Sequence, residues 1–184
     1  MANKNVKRGN KRNRRERDEF DQRIIDLARV TRVMAGGKRL RFRACVVVGD
    51  HKGKLGYGVA KGADVTLAVT KAVNHAKKHL LNIDISTGSI PHQVMQKYKA
   101  AQVMLRPAPV GTGIVAGGAV RSVLELSGIK NISAKIFGSN NKVNNVKATF
   151  IALENLIYRE KQEQPASQAD IPEKDNKVSD KQTK

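Results

Sequence analysis

Between Arg39 and Val48 apolar and basic residues alternate: Leu40, Phe42, Ala44, Val46 and Val48 fall on one side, Arg39, Arg41 and Arg43 on the other. A period of two belongs to a strand with one buried face, and here the opposite face begins strongly cationic. Gly49-Asp50-His51-Lys52-Gly53 is turn chemistry, and Leu55 to Ala60 resumes the pattern, which predicts a β-hairpin over 38–60. An earlier strand, about Leu27 to Met34, leads into it through Gly36-Gly37. Asp64 can then cap a helix whose Val65, Val69, Ala72, Val73, Ala76 and Leu80 share one face. Its opposite face carries Thr70, Lys71, Asn74, His75, Lys77 and Lys78.

Ser86-Thr87-Gly88-Ser89 marks a boundary, and the pattern restarts beyond it. Strands at about 90–96 and 101–106 lead to Pro107-Ala108-Pro109, a glycine-rich turn and a helix ending at Gly128, where glycine suits the left-handed position past a helix C-terminus. A strand from Ile129 to Phe137 follows, then Gly138-Ser139-Asn140-Asn141. The spacing of Val143, Val146, Phe150, Leu153 and Ile157 predicts an amphipathic closing helix. The chain therefore reads as α+β in two halves. A three-stranded antiparallel sheet with one helix occupies 23–88, and a ββαβα unit occupies 89–157.

Both ends lack an apolar period. Residues 158–184 mix Gln, Lys, Asp, Glu and Ser with Pro165 and Pro172, and are expected to be disordered. Residues 1–22 are expected to form a basic disordered arm, because eight of the first 17 residues are Lys or Arg and the only acid among them is Glu16. Overall, 35 Lys and Arg oppose 16 Asp and Glu, a formal net charge of +19. In the tail after Ile157 six bases meet six acids, so the excess sits on the arm and the patterned middle. Such a field suits nucleic acid or an anionic surface. No apolar run approaches the ~18 residues of a membrane span, and no apolar segment follows the basic start as it does in a secretory signal. Cys45, alone in an apolar run, offers no disulfide framework and suits a reducing, cytoplasmic setting.

Catalytic constellations are poorly represented. Between Asp84 and Glu154 the only acid is Glu125, which removes paired-carboxylate and hard-metal chemistry from the second half. His75 and His79 stand four apart on the predicted helix, but Lys77 and Lys78 lie between them and no Glu completes a zinc motif, so a phosphate-facing helix is the better reading. His51 and His92 have no evident nucleophile or third partner. Gly111-Thr112-Gly113 and Gly117-Gly118 do not have dinucleotide-fingerprint spacing, and no acid follows near 20 residues on to take a ribose hydroxyl. These glycines shape a sharp turn, and its amides could still hold an RNA phosphate. Gly49 to Leu55 is one residue short of a phosphate-binding loop and ends in Leu. Gly56-Tyr57-Gly58-Val59 matches part of an RNA-recognition-motif strand without the second aromatic. No enzyme activity, cofactor or metal is expected. Aromatics make up 4% of the chain, which leaves dispersed cations reading the backbone and shape of folded RNA. A free nucleoid protein or RNA chaperone is the alternative, and a nucleotide-dependent enzyme a weaker third.

Specific residues separate these readings. Gly37-Lys38, Phe42-x-Ala44, Val47-Val48-Gly49-Asp50-x-x-Gly53-x-Leu55-Gly56-x-Gly58-x-Ala60-Lys61 and Asp64 resemble the signature of bacterial small-subunit ribosomal protein five. Leu105-Arg106-Pro107-Ala108, Gly111-Thr112-Gly113, Ala116 to Arg121 and Gly138 to Asn141 are similar to that family's C-terminal domain, so the resemblance covers about 23–157. It implies a structural constituent of the small ribosomal subunit, with a double-stranded-RNA-binding-like N-terminal domain and a ββαβα C-terminal domain containing a left-handed crossover. It further implies binding to small-subunit ribosomal RNA where head, body and central pseudoknot meet, and contacts with small-subunit ribosomal proteins four and eight. Roles in assembly, head positioning and decoding accuracy follow, as does a position near where messenger RNA enters. The loop matching Thr31 to Lys38 lies near the spectinomycin site in the family.

On these grounds RNA contacts are expected from Arg14 and Arg15 of the arm, and from Arg29, Thr31, Arg32, Gly36, Gly37, Lys38, Arg39 and Arg41 around the first turn. Lys52, Lys54 and Lys61 extend the set. The second half adds Arg106, Gly111, Thr112, Gly113, Arg121, Asn140, Lys142 and Lys147. Ala35 stands where relatives often carry a base, and Lys142 replaces a proline common in the closing motif. The arm and the tail have no assigned counterpart.

Overall fold

The computed structural model describes residues 20–85 and 87–156. The predicted arm and tail, Arg14, Arg15 and Ile157 lie outside the described residues. The first sheet has four strands in the order β1-β2-β3-β4: β1 (Asp21–Met34), β2 (Gly37–Gly49), β3 (Lys54–Gly62) and β4 (Leu80–Asn82), all antiparallel. Helix α1 (Val65–Lys78) lies between β3 and β4 in the chain.

Three expectations for this half change. The short β4 is a fourth strand, and it takes Leu80 out of the helix into pairing with Gly56. β1 starts at Asp21, so two residues at the end of the expected arm are strand, and Phe20 packs with Ala44, Val46 and Val48. Its register shifts between Ile24 and Asp26, a bulge whose extra residue, Ile25, packs toward the core shared with the second half. Asp64 does hold the N-cap position of α1, but its side chain accepts no capping hydrogen bond; its carbonyl takes the Ala68 amide at 3.0 Å.

The seating of α1 explains the glycine signature. A β-carbon on Gly58 would fall 1.9 Å from the Ala72 carbonyl oxygen, and one on Gly56 would fall 2.5 Å from that of Ala76. Two strand residues advance about 6.6 Å and four helical residues about 6 Å, so alternate glycines of β3 keep step with the buried Ala72 and Ala76 of α1. Gly56 and Gly58 thus admit the helix backbone. Tyr57, between them, points the other way and meets the Phe150 ring at 4.5 Å.

The second sheet runs β5-β6-β8-β7, built from β5 (Val94–Tyr98), β6 (Ala101–Pro107), β7 (Ile114–Val115) and β8 (Ile132–Gly138). β7 is an addition to the expected ββαβα order, and it pairs parallel with β8 across the connection made by α2 (Gly118–Ser127). Helix α2 ends at Gly128 in the left-handed conformation, φ +88°. Helix α3 (Lys142–Glu154) is capped by Asn141, whose side chain accepts the Val143 amide at 3.1 Å.

The halves share a core. Val47, Leu55 and Ile83 of the first pack in one cluster with Val103, Leu105, Val123, Leu126 and Phe150 of the second. For this reason β2 is buried on both faces from Ala44 to Val48, while Gly37 to Arg41 are exposed on both, so the one-sided burial read from the sequence holds in neither stretch.

Candidate nucleic-acid interface

Toward their common turn, β1 and β2 leave the body as a two-stranded arm: residues 31–41 are all exposed. Met34 pairs with Gly37, so the connection is Ala35-Gly36, and of the two glycines only Gly37 has positive φ, at +134°. Residues opposed in an antiparallel ladder share a face. Arg29 opposite Phe42, Thr31 opposite Leu40 and Val33 opposite Lys38 form the face that α1 covers further down. Val30 opposite Arg41 and Arg32 opposite Arg39 form the other, where Lys61 stands opposite Arg43 on β3. Val30, Thr31, Arg32, Met34, Arg39, Arg41 and Lys61 line a pocket of about 270 Å³.

Like charges directly opposed across a ladder are destabilising, and Arg32 facing Arg39 is such a pair. From Leu27 to Gly49 the sequence contains no acid. Among the described residues, Arg29, Arg32, Lys38, Arg39, Arg41 and Lys61 have no carboxylate partner. Arg43, next on the same face, does: it pairs with Asp26 at 3.1 Å, which marks the inner limit of the uncompensated set.

Several other expected contacts are drawn into the fold. The oxygen Oδ1 of buried Asn131 accepts the amides of Gly111 at 3.0 Å and Gly113 at 3.2 Å, while the Thr112 amide donates to Pro109. All three amides of that turn therefore have internal acceptors. Asn131 was missed in the sequence because it lies 20 residues from the turn it organises. Arg121 binds Glu125 at 2.8 Å one turn along α2, and Glu125 also takes Arg23 of β1. The Arg121 hydrogen bond, reinforced by Arg23, holds the Glu125 carboxyl below its ordinary range. Lys142 reaches Asp26 at 3.8 Å, and half-buried Lys147 lies over the Tyr98 ring at 5.3 Å. Arg106, Asn140, Lys52 and Lys54 are exposed away from the arm.

The turn that failed as a phosphate-binding loop is an Asx turn. Asp50 Oδ1 accepts the amides of Lys52 at 2.8 Å and Lys54 at 2.9 Å. The amides of His51 and Gly53 then donate to Leu126 and Ser127, the last carbonyls of α2. Cys45 is fully buried, and burial, with the Asp26 charge nearby, pushes its thiol up to about 11. His75 and His79 bring their rings to 5.1 Å on the exposed side of α1.

An acid-free arm on a two-sheet α+β body, with Arg23, Arg43, Arg121 and Lys142 held in internal ion pairs, defines a cationic binding protein. Residues 20–84 match the family model for ribosomal protein S5, N-terminal domain, and residues 96–164 that for its C-terminal domain. The small ribosomal subunit protein uS5 of Thermosynechococcus vestitus is 45% identical over 173 residues, 94% of this chain and 96% of that protein. That of Acaryochloris marina is 47% identical over 157 residues, covering 85% and 88%. The uS5c protein of Emiliania huxleyi is 49% identical over 150 residues, covering 79% and 94%. The chain belongs to the bacterial-type uS5 family of small-ribosomal-subunit proteins, structural components of the ribosome and not enzymes.

Proposed function

We propose that the β1–β2 arm is the principal ribosomal-RNA contact of this protein, with Arg29, Arg32, Lys38, Arg39, Arg41 and Lys61 as phosphate ligands. The observation that carries this is the retained repulsion of Arg32 against Arg39 in an arm without a carboxylate. A polyanion removes that repulsion and releases its own counterions. Gly36, where an added β-carbon would meet nothing within 4 Å, leaves the tip free for close approach of a backbone.

On this reading the protein sits in the cytoplasm within the small subunit, aids assembly and holds head against body, and thereby affects decoding accuracy. Ribosomal proteins four and eight of the small subunit and messenger RNA near where it enters are its further neighbours, as the family resemblance implies. Arg106, Arg121, Asn140 and Lys142 are exposed on the second half and remain candidates for those contacts. The test is the salt dependence of binding to purified small-subunit ribosomal RNA. Arg32→Ala with Arg39→Ala and Arg41→Ala should lower the slope of log affinity against log salt by roughly 2 to 3, at about 0.7–0.9 per phosphate lost. An unchanged slope would sink the assignment.

A further inference from the structure

The two faces of the β1–β2 arm differ. On one, Arg29, Thr31, Val33, Lys38 and Leu40 intersperse cations with neutral side chains; on the other, Arg32 stands directly opposite Arg39, and Arg41 follows two residues on. Side chains directly opposed in a ladder have β-carbons about 4.5–5.5 Å apart, and residues two apart on a strand are about 6.6 Å apart. Lys61, opposite Arg43 on β3, is the diagonal neighbour of Arg41, about 7–8 Å away. Four exposed cations thus line one cleft of about 270 Å³, with part-buried Val30 among its walls. Arg43 with its partner Asp26 comes next inward on the same face, so a neutral pair bounds the cleft there.

Such a cleft suits several negative charges in a small space. A phosphodiester in a nucleic-acid strand carries one, and its neighbours stand a whole nucleotide away. Condensed phosphates share a bridging oxygen, so an ion of two or three groups brings several charges and many acceptor oxygens into one cavity. Guanidinium groups match them, each presenting a planar fork of N–H donors to a pair of phosphate oxygens. We infer that the free protein binds a condensed-phosphate anion in the Arg32–Arg39–Arg41–Lys61 cleft. A nucleoside polyphosphate and an inorganic oligophosphate share this chemistry. The site stands on the cleft alone. One consequence rests on the RNA contact proposed for the arm: the same ion competes with ribosomal RNA there.

Calorimetric titration of the full-length protein with orthophosphate, tripolyphosphate and ATP, in magnesium-free buffer, tests the site. Tripolyphosphate should bind roughly 10- to 150-fold more tightly than orthophosphate, the worth of one further charged hydrogen bond. Tighter binding of ATP than of tripolyphosphate makes a nucleotide the ligand, and the reverse makes it the inorganic ion; both keep the site. Arg32→Ala with Arg39→Ala should abolish the preference for tripolyphosphate, yet melt at or above the parent's temperature because the opposed charges are gone. Lys71→Gln with Lys78→Gln removes the same charge from the exposed side of α1 and should leave binding unchanged. Equal losses in the two double variants would reduce the binding to net charge and overturn the site, as would equal affinity for orthophosphate and tripolyphosphate. Competition is read separately, with purified small-subunit ribosomal RNA. If tripolyphosphate binds in the cleft and displaces no RNA, the arm's RNA contact falls and the site stands.

Discussion

The imidazole Nδ1 of His51 stands 2.9 Å from the carbonyl oxygen of Glu125, 74 residues away. With the His51 amide on Leu126 and the Gly53 amide on Ser127, both at 3.1 Å, it gives the last turn of α2 the partners that a helix C-terminus lacks within itself. The other ring nitrogen lies 3.5 Å from Asp21. The cap of one half's helix is thus the hairpin turn of the other.

Closing that seam depends on Gly128. Its φ of +88° disfavours any side chain, and a β-carbon there would fall 2.1 Å from the His51 carbonyl oxygen. Gly128→Ala should destabilise the protein by about 2–4 kcal/mol, combining backbone strain with a clash against main chain. Denaturant unfolding measures it, and a loss below 1 kcal/mol would show that the seam yields.

Gly58→Ala and Gly36→Asp should behave oppositely. The first pushes Ala72 and with it α1 off the sheet, at about 2–3 kcal/mol and roughly 6–10 °C in Tm. The second enters open space and should melt within a degree or two of the parent, yet weaken RNA binding and alter growth with spectinomycin. If Gly36→Asp melts normally and leaves both RNA affinity and drug response unchanged, the tip is not an RNA contact.

Glu125 sets an acid limit. Its carboxyl titrates below the ordinary 4.5 because Arg121, then Arg23, bond its charged form. The stability this contributes is present above that ordinary value and is lost as pH falls through the lowered one. Partial exposure keeps it under about 1 kcal/mol. Glu125→Gln should flatten the decline of Tm below pH 4.5; an equal decline in both proteins would assign it to other carboxylates.

Cys45 acts at the alkaline end. A thiol raised from 9.0 to about 11 stays protonated in the folded chain where the unfolded one ionises. Its contribution is therefore complete below pH 9 and is lost as pH rises toward 11, up to about 2–3 kcal/mol. Cys45→Ala should show a shallower loss across that window. Alkylation of the native thiol at pH 8 should wait on unfolding, and rapid labelling of folded protein would contradict its burial.

The sequence by itself determined the two patterned halves, the cationic side of β2 and the helix stop at Gly128, because periods of two and 3.6 and the chirality of a residue with positive φ are local properties. It also carried the family, since Val47 to Lys61 and Leu105 to Arg121 hold enough specific positions. Only the tertiary structure decided that Ala44 to Val48 are buried on both faces, because Val47 joins a core cluster whose other members lie largely in β6, α2 and α3, far along the chain. The same holds for β4 and β7, too short for any period and formed because an edge was available to pair with. The candidate site divides likewise. A list of cations can be read from the residues alone, but Arg121, Lys142 and Lys147 are set apart from Arg32, Arg39 and Arg41 by whether folding brings a carboxylate or an aromatic ring to them, and that is a matter of long-range geometry.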